Sequence, residues 1–230
     1  MKRFLTIASL LICTLMLFSC GKKEEAPKTI DVFVTLSNAG EMVVTQEKIA
    51  VTDVDGDGKY NVDEVLVATH KAKYDGENGY ATDIGNYGLY VTKMWGVENS
   101  SVGYYVNENM ASSLGDEVKS GDYVDAYIYF DKEFWSDSYT FFDVREATAV
   151  KGTAFEIKLN AVAFGADFAP YSTPSIGSEI YVNDVKSSVV TDVNGRARLT
   201  FTEAGEYVLT AKSTVEGVTI VPPVCIVTVK

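Results

Sequence analysis

Histidine and cysteine are nearly missing from this chain. Its 230 residues include one histidine, His70, and three cysteines, Cys13, Cys20 and Cys225. There is no Cys–His or Gly-x-Ser-x-Gly arrangement, and no phosphate-cradling loop with its lysine. Carboxylates are plentiful, but no pair stands out as a glycosidase pair. The chain is therefore expected not to be an enzyme. Basic residues are also in deficit, 20 against 32 acids, for a net charge of −12. That balance argues against nucleic acid as a partner and against an electrostatic grip on anionic lipid.

The first twenty residues are of a different kind. Lys2 and Arg3 precede an apolar run from Phe4 to Phe18, and Leu17-Phe18-Ser19-Cys20 closes it. The run is about 15 residues, short of the ~20 that a helical span needs. This segment resembles the signal peptide and lipobox of bacterial lipoproteins. The resemblance implies cleavage after residue 19 and acylation of Cys20 (palmitate among its lipids), giving a membrane partner through the anchor and a place on the extracytoplasmic face of the bacterial cell envelope. Residues 20–29 then form a polar tether. Removing residues 1–19 takes away Lys2 and Arg3 but no acid, so the mature charge is −14. With Cys13 gone and Cys20 lipidated, Cys225 is the only thiol left and no internal disulfide can form. It lies in the apolar run Val224 to Val229, where a buried small hydrophobe is expected.

Residues Asp53 to Glu64 read DVDGDGKYNVDE. A twelve-residue calcium loop needs oxygen ligands at positions 1, 3, 5, 9 and 12, a backbone carbonyl at 7 and a turn glycine at 6. Asp53, Asp55, Asp57, Asn61 and Glu64 occupy the side-chain positions. Lys59 occupies the carbonyl position and Gly58 the glycine. Calcium is the expected cofactor, in a structural role. The alternative is a solvated Asp/Gly turn.

Apolar alternation at Ile30, Val32, Val34 and Leu36, turn chemistry at Ser37–Gly40 and a second extended run, Met42 to Val51, predict a hairpin leading into this loop. Val62, Val65, Leu66, Thr69 and Ala72 follow at helical spacing, with Asp63 and Glu64 in the first turn. His70 sits at the edge of that stripe and is expected to pack rather than ligate. Residues 74–88, rich in Gly, Asn, Asp and Tyr, predict a long loop. Strands are expected at Leu89–Met94, Gly103–Val106, Tyr123–Phe130 and Tyr139–Val144. Beyond about residue 148 the helix signals vanish and short strands separated by turns predict a β-sandwich. Asn194-Gly195 predicts a tight hairpin turn, and Glu203 to Tyr207 a tyrosine corner. Residues 143–149 lack Pro and Gly, which predicts closely coupled modules.

Two resemblances rest on these residues. Gly103-Tyr-Tyr-Val-Asn107 and Gly121-Asp122-Tyr-Val, after a hairpin and a helix, resemble the transcobalamin C-terminal-like β-grasp domain over about residues 30–145. That likeness implies a corrinoid-like ligand, with Tyr104, Tyr105 and Asn107 as wall residues. Thr191 to Leu199 and the Gly205/Tyr207 corner are similar to bacterial Ig-like domains over residues 148–230. The expected fold is thus an α+β β-grasp-like domain (30–147) followed by an all-β Ig-like sandwich (148–230).

Within Tyr123–Phe130, Tyr123, Asp125, Tyr127 and Tyr129 share one face, which is either covered by neighbouring structure or open for contact. Eleven of the fourteen tyrosines and both tryptophans lie between residues 60 and 139. The expected function is a non-enzymatic, surface-anchored lipoprotein that presents Tyr104, Tyr105, Asn107, Tyr123, Tyr127 and Tyr129 to a small molecule or glycan. The alternative is a structural or adhesive cell-surface protein that binds another protein. Cys20→Ala should block acylation and leave the precursor uncleaved at residue 19. Metabolic labelling with a radioactive fatty acid and the mobility of the processed form check this.

Overall fold

A computed structural model describes residues 28–230. The expected signal peptide, Cys20 and nearly all of the tether lie outside the described residues. The first strand, β1 (Thr29–Asn38), pairs antiparallel with β2 (Glu41–Thr52). Ala39 and Gly40 join them with φ of 48° and 83°, the left-handed pair that a two-residue hairpin turn requires. Val32, Val34, Leu36, Val44, Ile49 and Val51 all point into the core, as the alternation demands.

The acidic loop then leads to α1 (Val62–Lys73). The Asn61 side chain accepts from the Glu64 N–H at 3.0 Å, and the Glu64 carboxylate accepts from the Asn61 N–H at 3.2 Å. Together they make a capping box, worth about 1 kcal/mol. Lys71 and Lys73 occupy the last turn, where the helix dipole favours their charge. Lys73 also pairs with Glu47, tying the helix to β2.

Residues 74–88 are not one long loop. After a 3-10 turn, Gly76–Gly79, the chain forms β3 (Ala81–Gly85), which pairs with β4 (Gly88–Met94), and β4 pairs with β5 (Val97–Glu98). The glycines that suggested a loop are the ends of a hairpin turn, since Gly85 and Gly88 flank Asn86-Tyr87. Three more strands complete the first module: β6 (Val102–Val106), β7 (Asn109–Met110) and β8 (Tyr123–Ile128). The main sheet runs β2-β1-β8-β6-β7. Its last strand, β8, lies beside the first and parallel to it, with Phe33 opposite Tyr123 and Asn38 opposite Ile128. Val62, Val65 and Leu66 of α1 pack with Val32, Leu36, Val124 and Ile128 of the sheet in one core.

The second module holds β9 (Ser138–Phe142), β10 (Glu146–Ala149), β11 (Ala154–Phe164), β12 (Pro170–Pro174), β13 (Ser178–Val182), β14 (Val185–Val190), β15 (Arg196–Thr200), β16 (Gly205–Ser213), β17 (Ile220–Val221) and β18 (Cys225–Val229). One sheet runs β10-β18-β16-β13-β14 and the other β12-β11-β9-β17, with β15 also on β11. Ile157, Leu159, Ile180, Leu209, Cys225 and Val227 fill the space between them. Burial pushes the Cys225 thiol up to about 12, so it is an inert core group.

Two expectations need correction here. The boundary near 147/148 falls inside the sandwich, because β9 pairs with β11, Leu159 opposite Phe142. The division therefore lies between Ile128 and Ser138. Asn194-Gly195 does not close a hairpin, since β14 pairs with β13 whereas β15 pairs with β11, so the chain crosses between sheets there. Gly195 has φ of 74°, and a Cβ on it would come within 2.3 Å of the Leu159 carbonyl oxygen. The glycine permits a close crossing. The tyrosine corner is present: the Tyr207 hydroxyl donates to the Glu203 carbonyl at 3.0 Å.

His70 is buried, with both ring nitrogens engaged. Nδ1 donates to the Leu66 carbonyl at 2.6 Å and Nε2 accepts from the Trp95 N–H at 3.0 Å. This pattern needs the neutral ring. Burial lowers its pKa below the usual 6.5, opposed in part by the Leu66 carbonyl. The unfolded chain therefore binds a proton near pH 6.5 that the folded chain refuses, and stability is lost as pH falls below about 6.5. Because His70 is the sole histidine, the unfolding free energy from urea titrations between pH 7 and pH 5.5 should fall with a slope of up to about 1.4 kcal/mol per pH unit. His70→Phe should abolish that slope and cost about 1–3 kcal/mol at pH 7, because the Trp95 N–H loses its acceptor.

Candidate functional site

The loop between β2 and α1 gathers three carboxylates. One oxygen each from Asp53, Asp55 and Asp57 lies within 4.8 Å of the other two. Backbone donors hold them there. Asp53 accepts from the Gly56 and Gly58 N–H groups at 2.7 and 2.8 Å, Asp55 from Asp57 N–H at 3.0 Å, and Asp57 from Lys59 N–H at 2.7 Å. Gly56 and Gly58 take φ of 75° and 84°, the conformation that lets the loop curl around its acids. A hard cation bound by oxygen fits such a donor set. Asn61 and Glu64, the next residues of the motif, also cap α1. Glu64 is buried and its second oxygen also accepts from the Val54 N–H at 2.6 Å. The exit of the loop is pinned by the segment 114–118, where Val62 N–H donates to the Asp116 carbonyl and Val118 N–H to the Tyr60 carbonyl.

The six residues expected to face a ligand have other occupations. Tyr127 and Tyr105 are buried, and with Tyr139 and Val221 they form a cluster between the two modules. The rings of Tyr105 and Tyr139 stack at 3.6 Å between centroids. Tyr127 lies across Gly103 of the neighbouring strand, where a Cβ would come within 2.3 Å of its ring. The glycine of the Gly103–Asn107 motif is thus the seat of a tyrosine. Tyr129 is half-buried and bonded to the Tyr127 hydroxyl at 3.3 Å. Burial pushes the Tyr105 hydroxyl up to about 12 and raises Tyr127 and Tyr139 further. Tyr104 points the opposite way and packs on the core under α1. Tyr123 stacks on Phe33 at 4.9 Å. Asn107 is a brace, with Nδ2 donating to Asp122 at 2.8 Å and Oδ1 accepting from the Tyr123 N–H at 2.9 Å. The tyrosine face expected to meet a ligand is covered by the sandwich instead.

At the centre of this junction is a charge pair that the sequence reading passed over. Arg145, in the link between β9 and β10, forms two bonds to Asp125 of β8, at 3.1 and 2.6 Å. Its Nε donates to Glu108 at 2.8 Å, and its guanidinium lies 5.4 Å from the centroid of the Tyr123 ring. The Tyr139 hydroxyl also donates to Asp125. Arg145 and Asp125 side chains are each only 9% exposed. Burial alone would lower the arginine pKa, but Asp125, Tyr139 and Glu108 outweigh it and raise it. A void of about 10 Å³ beside the pair, lined by Thr35, Thr140 and Val221 among others, has room for no more than one water. The signal was available. Arg145 is the single arginine between Arg3 and Arg196, and Asp125 is the single charge in Tyr123–Phe130.

No protein-family model matches this chain, and no curated protein matches it. Among solved structures, the fibronectin(III)-like modules of Clostridium thermocellum CbhA are 10% identical, with 57% of this chain and 78% of that one covered and a TM-score of 0.30. The D0-D1 domain of intimin is 14% identical, covering 85% and 97%, with a TM-score of 0.27. The N-terminal four Ig domains of Dscam1 isoform 6.9 are 9% identical, covering 90% and 47%, at 0.27. Scores of this size assign neither fold nor function, and the architecture stands on its own strand order. No helix among the described residues is long and apolar enough to cross a membrane.

Removing one member of a buried, hydrogen-bonded pair strands the other charge and costs about 3–5 kcal/mol. Asp125→Ala should therefore lower stability by that amount in urea unfolding. The double variant Asp125→Ala/Arg145→Met should cost clearly less than the sum of the two single changes, since it leaves no orphaned charge.

Proposed function

We propose that this chain is a non-enzymatic, lipid-anchored protein of the bacterial cell envelope whose two modules act as one stiff structural or adhesive unit. The observation that carries this reading is the dry tyrosine junction closed by Arg145 and Asp125. A module offering its tyrosines to a corrinoid-like molecule or a glycan would leave Tyr105 and Tyr127 accessible. Here both are spent on holding the sandwich. A junction of stacked tyrosines locked by a buried bidentate ion pair favours a fixed angle between modules over free hinging, as a spacer or adhesin needs.

The strand order, with a hairpin, one helix and a final strand parallel to the first, supports a β-grasp type for the first module. The two facing sheets and the Tyr207 corner support an Ig-like type for the second. Attachment through Cys20 is supported by the residues preceding it, and a strongly acidic mature chain suits an exported setting rich in divalent cations.

Calcium is proposed as a structural cofactor of the Asp53–Glu64 loop. Asp53, Asp55 and Asp57 would hold it, with the Lys59 carbonyl, Asn61 and Glu64 completing the shell. Bound there, it would offset two of the three negative charges gathered at the point where β2 passes into α1.

Two reporters test this proposal in the chain spanning 28–230. Trp95, with Trp135 replaced by Phe, reports the first module, and labelling of Cys225, buried in the folded chain, reports the sandwich. Their urea midpoints should coincide, whereas separate midpoints would show that the modules are not one unit. Calcium at ~100 times its Kd should raise both by about 2.7 kcal/mol. Asp55→Asn should weaken that shift. Asp55 is the better choice because Glu64→Gln would also disturb the helix cap. A melting curve that ignores chelator would remove calcium from this account.

A further inference from the structure

Among the described residues, every exposed phenylalanine and tryptophan falls in two short segments. Phe130, Phe134 and Trp135 lie in one, Phe164 and Phe168 in the other. Sheet register brings the segments to one end of the sandwich. β9 and β11 pair up to Thr140 opposite Ala161, and the same register carried three residues on sets Phe164 level with Asp137. A third loop arrives beside them. Thr219 accepts from the Ser138 N–H at 2.9 Å, and Val215 and Val218 just before it are exposed.

Two features set these tips apart from ordinary exposed loops. Trp135 and Phe168 sit at φ of 54° and 61°, a region that bulky side chains seldom adopt and that glycine or asparagine would fill with less strain. The fold alone gives no reason to place large rings there, and strain of this kind is a pointer to function. Many of the backbone N–H groups of these loops are also satisfied from within. Phe130 and Asp131 N–H donate to Asp137, and Glu133 and Phe134 N–H to the Asp131 carboxylate. Trp135 N–H donates to the Asp131 carbonyl, Phe168 N–H to Gly165 and Val218 N–H to Val215. Ala169 N–H donates to Asp167.

A glycan is recognised through polar groups set around aromatic rings, and many of the backbone donors here are already occupied. A medium with no hydrogen bonds to offer demands the reverse, backbone groups satisfied from within. Tryptophan and other aromatic rings settle at the boundary between lipid headgroups and acyl chains. We propose that these three loops dip into the interface of a phospholipid bilayer, with Phe134, Trp135 and Phe168 as the inserting side chains. The charged neighbours are Asp131, Glu133, Asp137, Asp167 and Glu216 against Lys132, with the Lys212–Glu41 pair beside Phe130 and Val218, so the net charge at this end is negative and does not draw it toward anionic headgroups. Insertion would rest on apolar contact and would suit zwitterionic lipid. The proposal is independent of acylation at Cys20.

Residues 28–230, which hold both complete cores and no lipid, provide the test. Trp95→Phe leaves Trp135 as the sole tryptophan. With phosphatidylcholine vesicles its emission should shift to the blue and be quenched by lipids brominated on the acyl chain. Phe134→Ser and Phe168→Ser should each weaken partitioning by roughly tenfold, with melting temperature unchanged because both rings are exposed. Adding phosphatidylglycerol should give no gain. No emission shift at millimolar lipid would overturn the proposal, as would a shift that survives the double Phe134/Phe168 variant. Binding to a glycan array or a protein through the same side chains, without vesicle binding, would show that the occupant is not a bilayer.

Discussion

The salt link between Arg145 and Asp125 decides how the rest of the molecule is arranged. Each charge would be costly alone in so dry a place, and together, with Tyr139 and Glu108, they are satisfied. Asp125 belongs to the central strand of the first sheet, and Arg145 to the turn that hands the chain from one sheet of the sandwich to the other. Fixing one against the other fixes the angle between the modules. The tyrosines supply area around this contact, whereas the charge pair supplies registry, because its bidentate geometry tolerates little sliding. Apolar stacking alone would allow the two faces several nearly equivalent positions.

This arrangement also explains why aromatic residues are so concentrated in the middle of the chain. Of the eleven tyrosines between residues 60 and 139, Tyr105, Tyr127, Tyr129 and Tyr139 meet at the junction, while Tyr80 stacks on His70 at 4.9 Å. Tyrosine suits a surface that folds against another domain, since its ring adds large contact area and its hydroxyl still finds a partner. Composition indicates that such a surface exists. It does not say whether the other side is a ligand or the remainder of the same chain.

Local signals were legible in the sequence and pairing signals were not. The spacing of Asp53, Asp55 and Asp57, the acids Asp63 and Glu64 at the start of the helix, the alternation in β1 and the Tyr207 corner all depend on residues a few positions apart. Sequence periodicity reports those directly. The membership of Ser138–Phe142 was lost because alternation marks a strand without naming its neighbour, and only the pairing with β11 across a long stretch of chain assigns it. The hairpin at 81–94 was lost because glycine and asparagine serve loops and tight turns alike. Arg145 and Asp125 were hidden for a related reason: twenty residues separate them, and each alone looks like a surface charge.

The C-terminal strand has a consequence for how the protein is made. Residues Cys225–Val229 lie between Glu146–Ala149 and Gly205–Ser213 in their sheet, an interior place filled only after all the other strands described here. A chain appearing from its N-terminus can complete the first sheet once Ile128 is out. The tyrosine side of that sheet stays wet until about a hundred further residues have followed and the sandwich has closed. Long-range pairing of this sort is slow, and an uncovered aromatic surface in the meantime invites aggregation. Folding of this chain therefore includes an interval in which one finished half waits for the other.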